Sequence, residues 1–322
     1  MEADPALSRM SAAWRNSSRV WRPNTHPPAS RSQLLAYLAL ALGIGAIGFS
    51  AIFIRWASAP GTVASFYRMA IGWAVLTIPF IGRREHLHGI GWKELRFALL
   101  AGVFFAVDLS FWSTGVVMSG ATNPTLLANT APLWVGIGAL LIFHERLDLS
   151  FWIGLLTAMA GAALILGLDA LRSMSLGLGT FFGLLAGLFY GGYFLITQRG
   201  RRTIDALSYF WFSSLAAMIV LLLINGAMRQ PLLGYPGRTY LSLAGLGVIS
   251  QGVGWLAINY AQGKLPATLV APTLLGQPVV TGLLAGPLLG ELMKPLQLVG
   301  GAAVLAGVYL VHRSRVRSTQ AS

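Results

Sequence analysis

The sequence predicts an all-α integral membrane protein whose ten transmembrane helices form two inverted five-helix repeats. Three observations carry that expectation. The first is composition: the 322 residues are 55% hydrophobic and only 10% charged, with a mean hydropathy of +0.67. That is too little charge to keep an ordinary soluble domain in water. The second is a series of long apolar stretches. The third is a segment that recurs, in register, 146 positions later.

The stretches fall at 34–54, 62–81, 97–118, 122–143, 149–168, 174–197, 206–227, 239–261, 266–290 and 295–312. Each is close to the ~20 helical residues needed to cross about 30 Å of hydrocarbon. The apolar runs are continuous rather than alternating, and each must satisfy its own backbone in lipid, so each is read as a helix. Thirty-eight glycines in so apolar a chain suit close helix packing. With no cysteine, neither a disulfide framework nor a thiolate metal site is available. The formal charge of +13 sits in short clusters between the apolar runs, which is how topology signals are distributed, so no nucleic-acid partner is expected.

Those clusters set orientation. If the N-terminus is cytoplasmic, 17 of the 23 lysines and arginines fall on the inside, among them Arg83, Arg84, Arg146, Arg199, Arg201, Arg202, Arg313 and Arg315. Only Arg55, Arg172, Arg229, Arg238 and Lys294 fall outside, and Arg68 lies within a span. The expectation is a multi-pass protein of the cell's inner (plasma) membrane with both termini cytoplasmic. Residues 1–33 read as a disordered basic tail, 34–168 as the first repeat, 174–312 as the second, and 313–322 as a second basic tail. No signal-peptide pattern precedes the first full-length span.

The recurring segment runs from 121 to 164. Pro132 and Glu145 correspond to Pro278 and Glu291, and Gly136, Gly154 and Gly161 to Gly282, Gly300 and Gly307. Five spans per half is an odd number, so the halves cross in opposite senses, with Glu145 inside and Glu291 outside. Both glutamates end a span near water and are assigned to topology or helix capping. Asn129-Thr130-Ala131-Pro132 interrupts the fourth span and Gly276-Gln277-Pro278 the ninth. Such paired interruptions point to a central binding site, which makes Pro132 and Pro278 candidate helix-break or gating positions and Asn129 and Gln277 candidate contacts.

Two charges lie inside spans: Arg68 in the second and Asp108 in the third. An uncompensated charge at the centre of a span costs ~2.5–3.5 kcal/mol on insertion scales, so each needs a partner or water. Their estimated depths are similar, which leads to an Arg68–Asp108 interaction, made directly or through a substrate. In the functional version Arg68 holds an anionic group, and Asp108 is a cation or proton site. The structural version is an ion pair that only joins two helices. The eighth span carries Gln251, Trp255, Asn259 and Gln262 at a spacing that places them along one helical stripe. Asp108 and Trp112 make a shorter stripe in the third. Gly179, Gly183, Gly187 and Gly191 recur every fourth residue in the sixth span, a packing face toward a neighbouring helix or a second subunit of a homodimer.

Other motifs are refused. Gly43-Ile44-Gly45-Ala46-Ile47-Gly48 follows no strand, His144-Glu145 lacks a second histidine, and no G-x-S-x-G elbow occurs. No catalytic cluster, cofactor or metal site is expected, and the chain is not read as an enzyme.

The chain resembles the EamA-type family of the drug/metabolite transporter superfamily over about 34–312. The resemblance rests on the span count, the Pro132…Glu145 and Pro278…Glu291 segments, Arg68 after an aromatic pair, and Val107-Asp108-Leu109-Ser110-Phe111-Trp112. It implies two inverted five-helix bundles around a cavity, and export of amino acids or other small metabolites. The expected partners are a small-molecule substrate and the lipid bilayer, with proton coupling as the residual drive and Asp108 its first candidate. The resulting reading is a secondary transporter working by alternating access. The competing reading is a non-transporting membrane scaffold or lipid-handling protein, to be separated from it by whether the polar residues meet in an open cavity.

Overall fold

The structure is a computed structural model that describes residues 31–82, 91–119, 122–167, 177–290 and 292–320. Expectations for residues 1–30, for Arg83, Arg84 and Arg172, and for Glu291 fall outside the described residues. Among the described residues, ten helices are long and apolar enough to cross a membrane. They are α1 Arg31–Ala57, α2 Gly61–Ile81, α3 Trp92–Ser119, α4 Asn123–Phe143, α5 Leu149–Leu166, α6 Leu178–Gly200, α7 Ala206–Ala227, α8 Gly237–Gln262, α9 Ala267–Leu289 and α10 Pro295–Arg315. Every predicted span has its counterpart. The helical conformation of α10 continues to Gln320, so the stretch read as a separate basic tail extends the last helix.

Local sequence explains several ends. Asp148 caps α5 by accepting a hydrogen bond from the Phe151 amide at 2.9 Å. Asp205 caps α7 by accepting from Leu207 and Ser208 at 3.0 and 3.1 Å. Both satisfy amide donors that the first helical turn leaves unpaired.

Two helices break where the prolines announce it. In α4, helical segments Thr122–Ala128 and Ala131–Phe143 meet at Asn129-Thr130. In α9, Ala267–Thr273 passes through a 3₁₀ turn, Leu274–Gly276, into Gln277–Leu289. The breaks lie 146 residues apart, as the sequence repeat requires. Pro132 and Pro278 each occupy the first turn of the new segment, where a missing N–H costs nothing. They start helices there rather than kink them mid-course. A third irregularity had no sequence signal: α8 is π-helical over Leu246–Trp255.

The helices pair in a regular scheme. α3 lies against α6, α4 against α6, α2 against α8, and α1 against α8 and α9; α3 also meets α7, α2 meets α7, and α5 runs along α10. Exchanging each helix for the one five places away turns α3·α6 into α1·α8, α4·α6 into α1·α9, and α2·α8 into α3·α7. The pairs α2·α7 and α5·α10 map onto themselves. This is the pattern expected of two similar units packed about a two-fold axis.

At α5·α10 the contact is backbone on backbone. A methyl group at Gly154 would lie 2.8 Å from the Gly307 carbonyl oxygen, and one at Gly161 would lie 2.5 Å from that of Gly300. Rising numbers on α5 face falling numbers on α10, so the two helices run antiparallel. The glycine ridge of α6 is also filled from within the chain. Gly179 meets Ser119 of α3, Gly183 meets Pro124, Gly187 meets Leu127, and Gly191 meets Trp134 of α4. The choice left open by the spacing therefore resolves to neighbouring helices. That face offers nothing to a second subunit.

Candidate functional site

α1, α2, α3, α4, α6, α8 and α9, with the end of α5, surround a cavity of about 470 Å³. It reaches from mid-span, at Phe105 and Asp108, to the bundle end opposite the start of α1 and the close of α10, at Arg55 and Leu166. Arg68, Asp108, Trp112, Asn129, Trp255 and Gln277 all line it, together with Phe105 and Tyr190. A second lobe of about 550 Å³, between α4, α5, α9 and α10, shares Thr125, Asn129, Leu166 and Gln277 with the first. The sizes suit a small organic ligand.

The two charges do not form an ion pair. Arg68 instead donates Nε to Gln251 Oε1 at 2.7 Å, and its guanidinium carbon lies 6.0 Å from the Phe105 ring centre. Gln251 is held from behind by Nε2, 3.1 Å from Met69 Sδ. The terminal nitrogens of Arg68 and the carboxylate of Asp108 have no hydrogen bond among the described residues and are not sealed off; both face the cavity. The residues are nevertheless deep, with Arg68 9% and Asp108 5% exposed. Among the described residues the ion pair present is elsewhere, between Arg315 and Glu145.

The breaks in α4 and α9 are what bring amides to the wall. Asn129 sits in the α4 break and touches both lobes; its Nδ2 is buried without a partner. Gln277 opens the second segment of α9 and donates to the Ile47 carbonyl of α1 at 3.3 Å. Trp112 Nε1 donates to Thr125 Oγ1 at 2.9 Å, which fixes its ring at the junction of the lobes. Phe105 and Trp255 form the cavity floor, with ring centres 4.6 Å apart, and the fully buried Tyr193 backs it, its ring centre 4.7 Å from that of Phe105.

The stripe expected on α8 is divided by that floor. Gln251 touches Arg68 and does not line the cavity; Trp255 lines it. Asn259 lies beneath, fully buried, donating to Tyr193 Oη at 3.0 Å, and Gln262 lies further down beside Phe194. The π-helical winding through Trp255 also breaks the even spacing on which the stripe was read.

Glu145, at the end of an apolar run, reads in the sequence as a capping or topology residue. The structure gives it three partners instead: Arg315 Nη2 at 2.7 Å, Thr268 Oγ1 at 3.0 Å and Gln198 Nε2 at 3.1 Å. This cluster lies at the end of the bundle where α1 begins and α10 closes, the end away from the cavity mouth. Arg201 closes the same end, donating to the carbonyls of Asn259, at 2.9 Å, and Ile204. Burial lowers its pKa to about 10.

Known proteins resemble this chain along most of its length. An uncharacterized transporter of Archaeoglobus fulgidus is 24% identical over 282 residues, covering 85% of this chain and 95% of its own. An uncharacterized transporter of Bacillus subtilis, YwfM, is 26% identical over 76% of this chain and 82% of its own. A protein of Streptantibioticus cattleyicolor named as a probable terminal-alkyne amino-acid exporter is 28% identical over 201 residues, 62% of this chain and 66% of its own. A solved crystal structure shares the fold with a TM-score of 0.72 over 88% of this chain and 98% of the other, at 17% identity. The model of the EamA-like transporter family matches twice, over residues 34–167 and 177–313. With both halves of the chain covered, this membrane protein belongs to the EamA-like transporter family.

Proposed function

We propose that the protein is a secondary transporter that exports amino acids or related small metabolites by alternating access. The observation that carries this reading is the pairing of Arg68 and Asp108: two opposite charges, deep in the bundle, facing one open cavity without neutralising each other. A zwitterion supplies what both lack. Its carboxylate fits the planar terminal nitrogens of Arg68 and its ammonium fits Asp108, while Trp112, Tyr190 and Trp255 offer apolar and π surface to a side chain. The Streptantibioticus relative named as an amino-acid exporter supports the same class.

Alternating access follows from a two-fold design. The exchange of helix pairs, the matched breaks in α4 and α9, and the antiparallel α5·α10 contact all support two inverted five-helix repeats, 34–168 and 174–312. With both termini cytoplasmic in the inner membrane, as the arginine distribution favours, the cavity faces outward in this structure. Asp108 is the candidate proton or cation site for coupling. The open, charged cavity counts against a scaffold, whose polar residues would be sealed against one another. The test is a metabolite-efflux screen in cells making the wild type or Asp108→Ala. Amino-acid efflux that appears with the first and is lost with the second supports the reading, and no difference for any amino acid or related metabolite sinks it.

A further inference from the structure

The half of the bundle below the cavity floor is closed, and two features of that closure have no role in the outward cavity. One is the Glu145 cluster. Glu145 follows α4 directly, after His144 turns the chain with a positive φ of 54°. Its side chain, 6% exposed, gathers Gln198 from α6, Thr268 from the first turn of α9 and Arg315 from α10. Gln198 extends the tie by accepting from the Ala267 amide at 2.6 Å. Four helices are thus joined through one carboxylate, and all four belong to the walls of either lobe or the floor. The other feature is a pair of orphans between that cluster and the floor. Asn259 Oδ1 and Gln262 Oε1 are buried with no hydrogen-bond partner. A buried acceptor without a protein partner costs free energy that a polar partner or ligand recovers. Polar groups strung below the floor are a lining that a second, alternate cavity in this half would use.

We infer that Glu145 is the pin of a latch holding shut the end where α1 begins and α10 closes, and that its release opens a second cavity along Asn259 and Gln262. The inference rests on the alternating-access reading above and names the device that biases its two states. The latch is asymmetric in effect: it exists in this conformation and is broken in the other, so every bond it makes favours the outward-open form. Arg315 contributes the charged bond, while Thr268 and Gln198 tie in the segment ahead of the α9 break.

The chain has no cysteine, so single cysteines report accessibility cleanly. Ala271→Cys places a thiol at a buried site beside Pro132, Phe194 and Leu274, just above the latch. Ala51→Cys places one at an exposed position on the cavity wall. Reaction with a membrane-impermeant maleimide is followed in vesicles of both orientations, with and without Glu145→Gln or Arg315→Gln. Loss of one charge-assisted bond is expected to raise the Ala271→Cys rate from the latched side about tenfold and to slow Ala51→Cys from the other. Thr268→Val, which removes a single neutral bond, is expected to shift both rates in the same directions by a smaller factor, and it substitutes if the charge variants fail to fold. Folded variants that leave both rates unchanged overturn the latch. The readout needs no substrate: rates that shift in a protein that exports no amino acid uphold the latch and sink the amino-acid assignment, and unchanged rates in an active exporter do the reverse.

Discussion

Arg68→Lys is the sharpest probe of the cavity because it keeps the charge and removes the shape. In the native site Nε is committed to Gln251 at 2.7 Å, leaving the terminal nitrogens for a ligand. A lysine ammonium has to serve either Gln251 or the ligand, so one charge-assisted hydrogen bond is lost. Such a bond is worth roughly 1.5–3 kcal/mol, which translates into a ten- to hundredfold weaker affinity for an amino acid. Trp112 and Trp255 line the cavity, so titrating purified protein and following tryptophan fluorescence reads binding directly. Substrate analogues sort the contacts. Arg68→Lys should weaken the amino acid but leave the corresponding amine, which has no carboxylate, within about twofold of its wild-type affinity. Asp108→Asn should do the converse, sparing the analogue that lacks the ammonium. Equal losses for every analogue in both variants would falsify the two-ended arrangement, and so would an Arg68→Lys protein that binds the amino acid as tightly as the wild type.

Three further outcomes are expected. Gly307→Val puts a side chain where even its first carbon lies 2.4 Å from the Ala158 nitrogen, so overpacking should cost about 1–3 kcal/mol and lower the melting temperature, while Gly45→Ala, with open space around it, should be neutral. At Asp205, burial alone would raise the carboxyl pKa, but hydrogen bonds from Ser208 and Leu207 and the field of Arg201 outweigh it and hold it below the usual range. Its cap therefore stabilises fully above the unfolded value near ~4 and fades as pH falls through the folded one, so Asp205→Ala should cost about 1 kcal/mol at neutral pH and less in acid, measured by thermal melts. Single cysteines at Lys264 and Arg238, both exposed, should label from the cytoplasmic and outer sides respectively; the opposite pattern overturns the orientation.

The bundle was largely legible in the sequence because lipid leaves few choices. A continuous apolar run of span length can only be a helix, and the repeat by itself locates both breaks. The site was legible as a membership rather than an arrangement. Arg68 and Asp108 announced themselves as charges in lipid, yet the partner of Arg68 is 183 residues away on a helix whose facing depends on a π-helical segment with no local signature. Asn259 and Trp255 share a stripe, but which of them meets the cavity depends on where the aromatic floor closes, a property of conformation and not of spacing. Glu145 was misjudged for a simpler reason. At the end of an apolar run a carboxylate looks like a solvated terminus, and only the extension of α10 shows that Arg315 reaches it.

The crossed glycines of α5 and α10 leave a mark on which sequence changes can occur together. Gly154 and Gly300 are counterparts in the repeat, but Gly154 rests on Gly307, and Gly161 on Gly300. A methyl group at any of the four meets backbone atoms of the facing helix, and the facing glycine has no side chain left to give up, so a larger residue at one position cannot be offset by a change at its diagonal opposite. All four positions are held at glycine together, each by the helix it faces. The halves are thereby kept alike at the place where they touch most closely.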